Sequence, residues 1–100
     1  MLLTNGKLIA LGIIMYCADN DGRLPSAGSV ESNIHTYVPK EGVFCRPGTN
    51  DSIFRYLDPG VAKESDIAKP AGTRIGELDA GYGWIAGIYA DGHVQVLPKQ

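Results

Sequence analysis

Asp19, Asn20 and Asp21, followed directly by Gly22, bring together two carboxylates, an amide and a turn residue. Hard cations such as calcium are held by several oxygen ligands, so these residue types make a partial calcium loop. An EF-hand would need a bidentate Glu at its twelfth position, but Val30 stands there and Glu31 comes one residue late. The same four residues also read as a helix end and turn. Asp91 and His93 have the types of an acid–base pair, but a triad needs a nucleophile, and Cys45 is the one obvious candidate. The competing reading makes Asp91 a turn builder and His93 an exposed strand residue, with His35 a surface residue. Glu77 and Asp79 point to one side of a strand, as paired glycosidase carboxylates can; two acids at this spacing also describe a solvated face. Tyr82, Trp84 and Tyr89 form an aromatic cluster suited to a partner subunit, a sugar or core packing. None of these groups makes a complete catalytic set, so the chain is not expected to be an enzyme.

The bulk composition narrows the classes further. The chain has 100 residues, 44% of them hydrophobic and 20% charged, as expected for one folded domain, here taken as residues 1–100. The formal net charge is -2, and nine basic residues are scattered from Lys7 to Lys99. No basic stripe tracks a phosphate backbone, so nucleic acid is not an expected partner. Cys17 and Cys45 lack the CxxC spacing of a zinc site. In an oxidising compartment they could form one disulfide, contributing roughly 3–4 kcal/mol in the chain-entropy account; the alternative is two free thiols. The longest apolar stretch, Leu8–Ala18, falls short of the roughly 20 residues of a membrane span. Thirteen Gly and six Pro imply many turns and argue against an all-helical protein.

The elements that must position these groups follow from periodicity. Leu3–Ala18 reads as a helix with Leu8, Leu11, Met15 and Ala18 on a stripe widened by Ile9, Ile13 and Tyr16. Gly6 and Gly12 weaken it, and Gly12 suits close packing against a neighbour. The helix ends at Asp19–Gly22, and Pro25 forbids continuation. Val30–Val38 predicts a short helix with Ile34 inward, Ser29 as N-cap and Pro39 as stop. Val43–Cys45, Ile53–Leu57 and Thr73–Leu78 are predicted strands, and Val61–Ala71 has no regular pattern. Trp84–Tyr89 and His93–Leu97, joined through Ala90-Asp91-Gly92, predict a hairpin with positive φ at both Asp91 and Gly92. Val94 and Val96 would then face the core. The sum is an α+β domain, a long N-terminal helix lying on a small antiparallel sheet.

Three segments carry a family resemblance. Asn5-Gly6-Lys7-Leu8-Ile9-Ala10-Leu11-Gly12-Ile13-Ile14-Met15-Tyr16, with Ala18-Asp19-Asn20-Asp21-Gly22-Arg23-Leu24-Pro25, is similar to N-L-K-Q-I-G-L-A-L-x-x-Y-A-x-D-x-D-G-x-L-P in bacterial proteins with prepilin-type leaders. Ala90-Asp91-Gly92-His93-Val94 resembles their A-D-G-H-V hairpin, and Val43-Phe44-Cys45-Arg46-Pro47 resembles their F-x-C-P segment. The three occur in order and span nearly the whole chain. Gly6 departs from the pattern, where Leu is usual. Gly81-Tyr82-Gly83 lacks a His common there, so a two-histidine site beside the hairpin is not expected.

The resemblance implies a pilin-like, structural pseudopilin subunit of a type II secretion or pilus-like surface assembly. It implies a leader and a hydrophobic first half of the helix upstream, with Met1 inside a longer native chain. The protein would be anchored in the inner membrane by that segment, its head in the periplasm or at the cell surface. Partners would be other pseudopilin or pilus subunits, met through Leu3, Leu8 and Leu11 and through Tyr82, Trp84 and Tyr89. No cofactor is required. Calcium is a possible ion: the loop reading offers Asp19 and Asp21, and the resemblance, which implies calcium near the C-terminus in some members, adds Asp91 and Asp79 as further candidates. The alternative function is an extracytoplasmic binding module for calcium, glycan or protein, working through the C-terminal hairpin and its aromatic patch. A calcium-dependent melting shift, or an exposed Trp84, would favour that second reading.

Overall fold

The computed structural model describes residues 2–26, 28, 30–38, 42–45, 51–79, 81 and 83–98. Helix α1 runs Leu2–Asp19. No Pro interrupts it, and its Ala, Leu, Ile and Met side chains favour or tolerate the helix. Its end is tied off locally. The Asn20 side-chain amide donates to the Tyr16 carbonyl at 2.7 Å, and the Gly22 N–H donates to the Cys17 carbonyl at 2.7 Å. Asp21 takes φ of 57° and Gly22 φ of 79°, the left-handed conformation that turns the chain away.

The inner face of α1 differs from the predicted stripe. Ile9, Ala10, Ile13 and Cys17 are buried, whereas Leu11 and Met15 face outward and Leu8 and Tyr16 are half-buried at the flanks. The helix is apolar nearly all round, so periodicity could not choose its inner side; the sheet did. Gly12 sits where a Cβ would lie 3.1 Å from Val38 Cγ2, the close packing expected of it. Gly6 does the same against the sheet, where a Cβ would meet Val94 Cγ1 at 2.9 Å.

Short helix α2 is Val30–Ile34, continued by a 3-10 turn over His35–Tyr37. Val30 and Ile34 enter the core. The predicted cap Ser29 and stop Pro39 lie outside the described residues. The sheet has four antiparallel strands in the order β1 (Phe54–Tyr56), β2 (Arg74–Asp79), β3 (Trp84–Tyr89) and β4 (Val94–Pro98). Leu78, Ala86 and Val96 align across β2, β3 and β4, as do Gly76, Ile88 and Val94. Leu78, Ala86 and Ile88 are fully buried beneath the helices, the Leu78 and Ile88 side chains contributing about 1.5–3 kcal/mol each. A bulge between Arg74 and Gly76 lets Ile75 join the core as well. The fold is thus α+β, a helix laid on one face of an antiparallel sheet.

Four local expectations are corrected. Val43–Cys45 is a turn, not a strand: the Cys45 N–H donates to the Gly42 carbonyl at 3.0 Å, and Cys45 makes one isolated bridge to Ser52. Its apolar character comes from burial of both Val43 and Phe44, which a strand with a single buried face would not require of neighbours. The 61–71 stretch contains 3-10 turns at Glu64–Asp66 and Pro70–Gly72. Val96 is 47% exposed, because α1 covers the Val94 part of edge strand β4 and leaves the rest. In the hairpin, Gly92 has φ of 95° and Asp91 does not have positive φ. The Gly92 N–H donates to Tyr89 O at 2.9 Å and the Tyr89 N–H to His93 O at 3.0 Å. This is a three-residue loop closed by glycine, so His93 falls before the strand.

Candidate functional site

Three surfaces hold the residues singled out above. The first is the outward face of α1. Leu3, Leu11, Ile14 and Met15 are each 38–51% exposed along it. Lys7 is also exposed on this helix. Of the expected contact residues, Leu3 and Leu11 are therefore available, while Leu8 packs partly against the core. Asn5, near the start of α1, is buried, and its Oδ1 has no hydrogen-bond partner among the described residues.

The second surface is the β3–β4 hairpin. Asp91 Oδ1 accepts the His93 N–H at 3.1 Å and also contacts His93 Nδ1. The His93 N–H first, and then its ring, hold the Asp91 carboxyl below its ordinary value. The imidazole lies flat on Tyr89, with ring centroids 4.2 Å apart and planes within 7°. Asp91 thus builds the turn, and the His93 ring is a stacked cover on the strand end. Cys45, the nucleophile considered for this pair, has its backbone bridged to Ser52. Trp84, at the other end of β3, is 52% exposed, and Tyr89 is half-buried. Tyr82 lies outside the described residues.

The third surface is the sheet face opposite α1. By strand alternation Glu77, Asp79, Ile85, Gly87 and Leu97 point there while Leu78, Ala86 and Ile88 point to the helices. Glu77 Oε2 meets Arg74 Nη1 at 3.4 Å, and Oε1 meets Arg55 Nη1 at 3.8 Å. A groove of about 600 Å³ opens among Arg55, Arg74, Glu77, Asp79, Ile85, Leu97 and Pro98. Sequence reading paired Glu77 with Asp79 and missed both arginines. Arg74 stands three residues before Glu77, a visible signal, but Arg55 arrives through the β1–β2 register that pairs it with Glu77.

The expected calcium ligands occupy two turns. Asp19 and Asp21 sit where α1 ends, and Asp19 Oδ2 accepts the Tyr37 hydroxyl at 2.7 Å. Asp91 is in the hairpin, engaged by His93. Asp79 Oδ1 accepts the Gly81 N–H at 2.9 Å. Among the described residues no group of three or more His, Cys, Asp or Glu gathers closely enough to hold a metal ion. Both cysteines are free thiols. Burial, followed by the charge and hydrogen bond of Glu64, pushes the Cys17 thiol up to about 12. Among the described residues no helix is long and apolar enough to cross a membrane. Comparison with protein families, with curated proteins and with solved structures finds no match to this chain.

Proposed function

We propose that the protein is a structural, non-catalytic subunit of a pseudopilin kind, serving a type II secretion or pilus-like surface assembly. One observation supports this above the others: α1 packs on the sheet through Ile9, Ala10, Ile13 and Cys17, yet its other side presents Leu3, Leu11, Ile14 and Met15 to solvent. A helix apolar on both sides is suited to lie between its own sheet and further helices. The proposed partners are other subunits of the same assembly, packing along this stripe. The resemblance of the Asn5–Pro25 and Ala90–Val94 segments points the same way, and on this reading the protein is anchored in the inner membrane with its head in the periplasm or at the surface. The direct test is mass spectrometry of the native N-terminus in membrane and surface fractions. A processed N-terminus leading through about 20 apolar residues into Leu3 is the expected result. A cytosolic protein beginning at Met1 would sink the proposal.

A second reading, an extracytoplasmic binding module, draws on Trp84. Its indole is half-exposed at the end of β3, where an aromatic face can meet a sugar ring or a protein side chain. A blue shift of tryptophan emission on adding glycan fragments, absent in Trp84→Ala, is the result this reading expects. Calcium belongs to the same reading, and a melting temperature unchanged between calcium and chelator would remove it.

A further inference from the structure

We infer that the groove on the sheet face opposite α1 is a binding site for a carboxylate attached to an apolar body. The site is built by an unusual placement of Arg74. Gly87, in the middle of β3, has no side chain on that face. A Cβ there would lie 3.4 Å from both Cδ and Nε of Arg74 and 3.3 Å from Leu97 Cδ1. The absence of that carbon lets the Arg74 stem lie flat across the sheet, and its guanidinium reaches Glu77 at 3.4 Å. Arg55 approaches the same carboxylate from β1 at 3.8 Å. Each guanidinium carries five N–H donors in a planar fork. Here each directs Nη1 at one Glu77 oxygen, at distances longer than a tight charge-assisted bond. Glu77 therefore holds the two forks in place without saturating them, and a second carboxylate suits the remaining donors.

The rest of the groove selects what that carboxylate is attached to. Ile85, Leu97 and Pro98 supply an apolar wall continuous with the arginines. At about 600 Å³ the space lies within the usual range for small-ligand sites. Asp79, whose Oδ1 accepts the Gly81 N–H, stands on the lining as well, so two arginines face two carboxylates; one ligand carboxylate is bound through the spare guanidinium donors, and a second would meet net repulsion. A monocarboxylate with a branched or aromatic body satisfies all three features. Two sources share this chemistry: a free apolar acid, and the C-terminus of a peptide ending in an apolar residue. The groove lies on the face away from α1, so the inference stands independently of the assembly role.

The test is a two-dimensional 15N–1H NMR titration of the folded protein with N-acetyl-leucine and, in parallel, with N-acetyl-leucinamide. The acid is expected to move the amides of Glu77, Ile85 and Leu97, and the neutral amide to bind at least about tenfold more weakly, as loss of a charged hydrogen-bond partner implies. Arg74→Met keeps the stem and removes the charge, and should lower affinity for the acid by about tenfold or more. Arg55→Gln, at an exposed side chain, is the second variant and is expected to weaken binding while leaving the dispersion of core amides unchanged. An N-acetylated peptide ending in leucine that binds more tightly than N-acetyl-leucine assigns the site to peptide termini, and equal affinity assigns it to the free acid. Equal shifts with acid and amide, unchanged affinity in both variants, or no movement at Ile85 and Leu97 would overturn the inference.

Discussion

Gly6 shows how one atom decides local fit. The α1 backbone approaches β4 so closely that a Cβ would stand 2.9 Å from Val94 Cγ1. Gly6→Leu, which restores the residue usual in the resembling segment, should raise helix propensity yet destabilise the fold by about 1–3 kcal/mol through overpacking. Urea unfolding monitored by circular dichroism checks this. The two thiols differ in the same local way. Cys17 is fully buried, with its thiol pushed up to about 12, whereas Cys45 is partly exposed. Native protein at pH 8 should therefore show one fast-reacting thiol toward a disulfide reagent, and peptide mapping should place it at Cys45. Labelling of Cys17 on the same timescale would contradict the described packing.

The β3–β4 hairpin owes its register to a three-residue loop in which Gly92 alone is left-handed and Asp91 caps the His93 N–H. Because His93 holds the folded-state pKa of Asp91 below its ordinary value of 3.8, this contribution to stability is present above that value and is lost as pH falls through the folded one. The thermal midpoint should fall between pH 6 and pH 3 by more in the wild type than in Asp91→Asn. Equal falls would mean that the carboxylate bonds contribute nothing measurable. Helix α1 offers a matching contrast between its two sides. Ile13→Ala, on the buried side, should cost about 2–5 kcal/mol. Leu11→Ser, on the exposed side, should change the stability of the isolated domain by no more than about 0.5 kcal/mol. If the assembly proposal holds, Leu11→Ser instead reduces recovery of the native protein in its surface complex.

One core joins the two helices to the sheet, and it leaves two faces outside it, the outer side of α1 and the far side of the sheet. Ile9, Ile13 and Cys17 of α1, Val30 and Ile34 of α2, and Leu78, Ala86 and Ile88 of the sheet belong to a single buried cluster. The far side of the sheet lies outside that cluster, and there Arg55, Arg74 and Glu77 meet as ion pairs. The long stretch between β1 and β2 is held to the end of α1. The Leu24 N–H donates to Ala62 O, the Glu64 N–H to Gly22 O, and Arg23 bridges Lys63. Truncation of Leu78 to Ala, at the centre of the cluster, is expected to destabilise by about 2–5 kcal/mol and to do so cooperatively, with helix and sheet signals lost in one transition. Two separated transitions would show that the helices and sheet do not share a core.

The amino-acid sequence by itself determined those features that rest on near neighbours. The helix from Leu3 to Ala18, its end at Asp19–Gly22, the strand around Arg55, and the glycine-closed hairpin all follow from short-range periodicity and turn chemistry. The α+β class follows from their order. Tertiary structure decided the rest. A helix apolar on both sides carries no local mark of which side is inner, so the exchange of Leu11 and Met15 for Ala10 and Cys17 required the sheet. Val43 and Phe44 read as a strand because burial and extended structure leave the same apolar trace in a short run. The groove required strand register, which brings Arg55 opposite Glu77, and a central Gly87 that opens the path for Arg74; neither is a property of residues close in the chain.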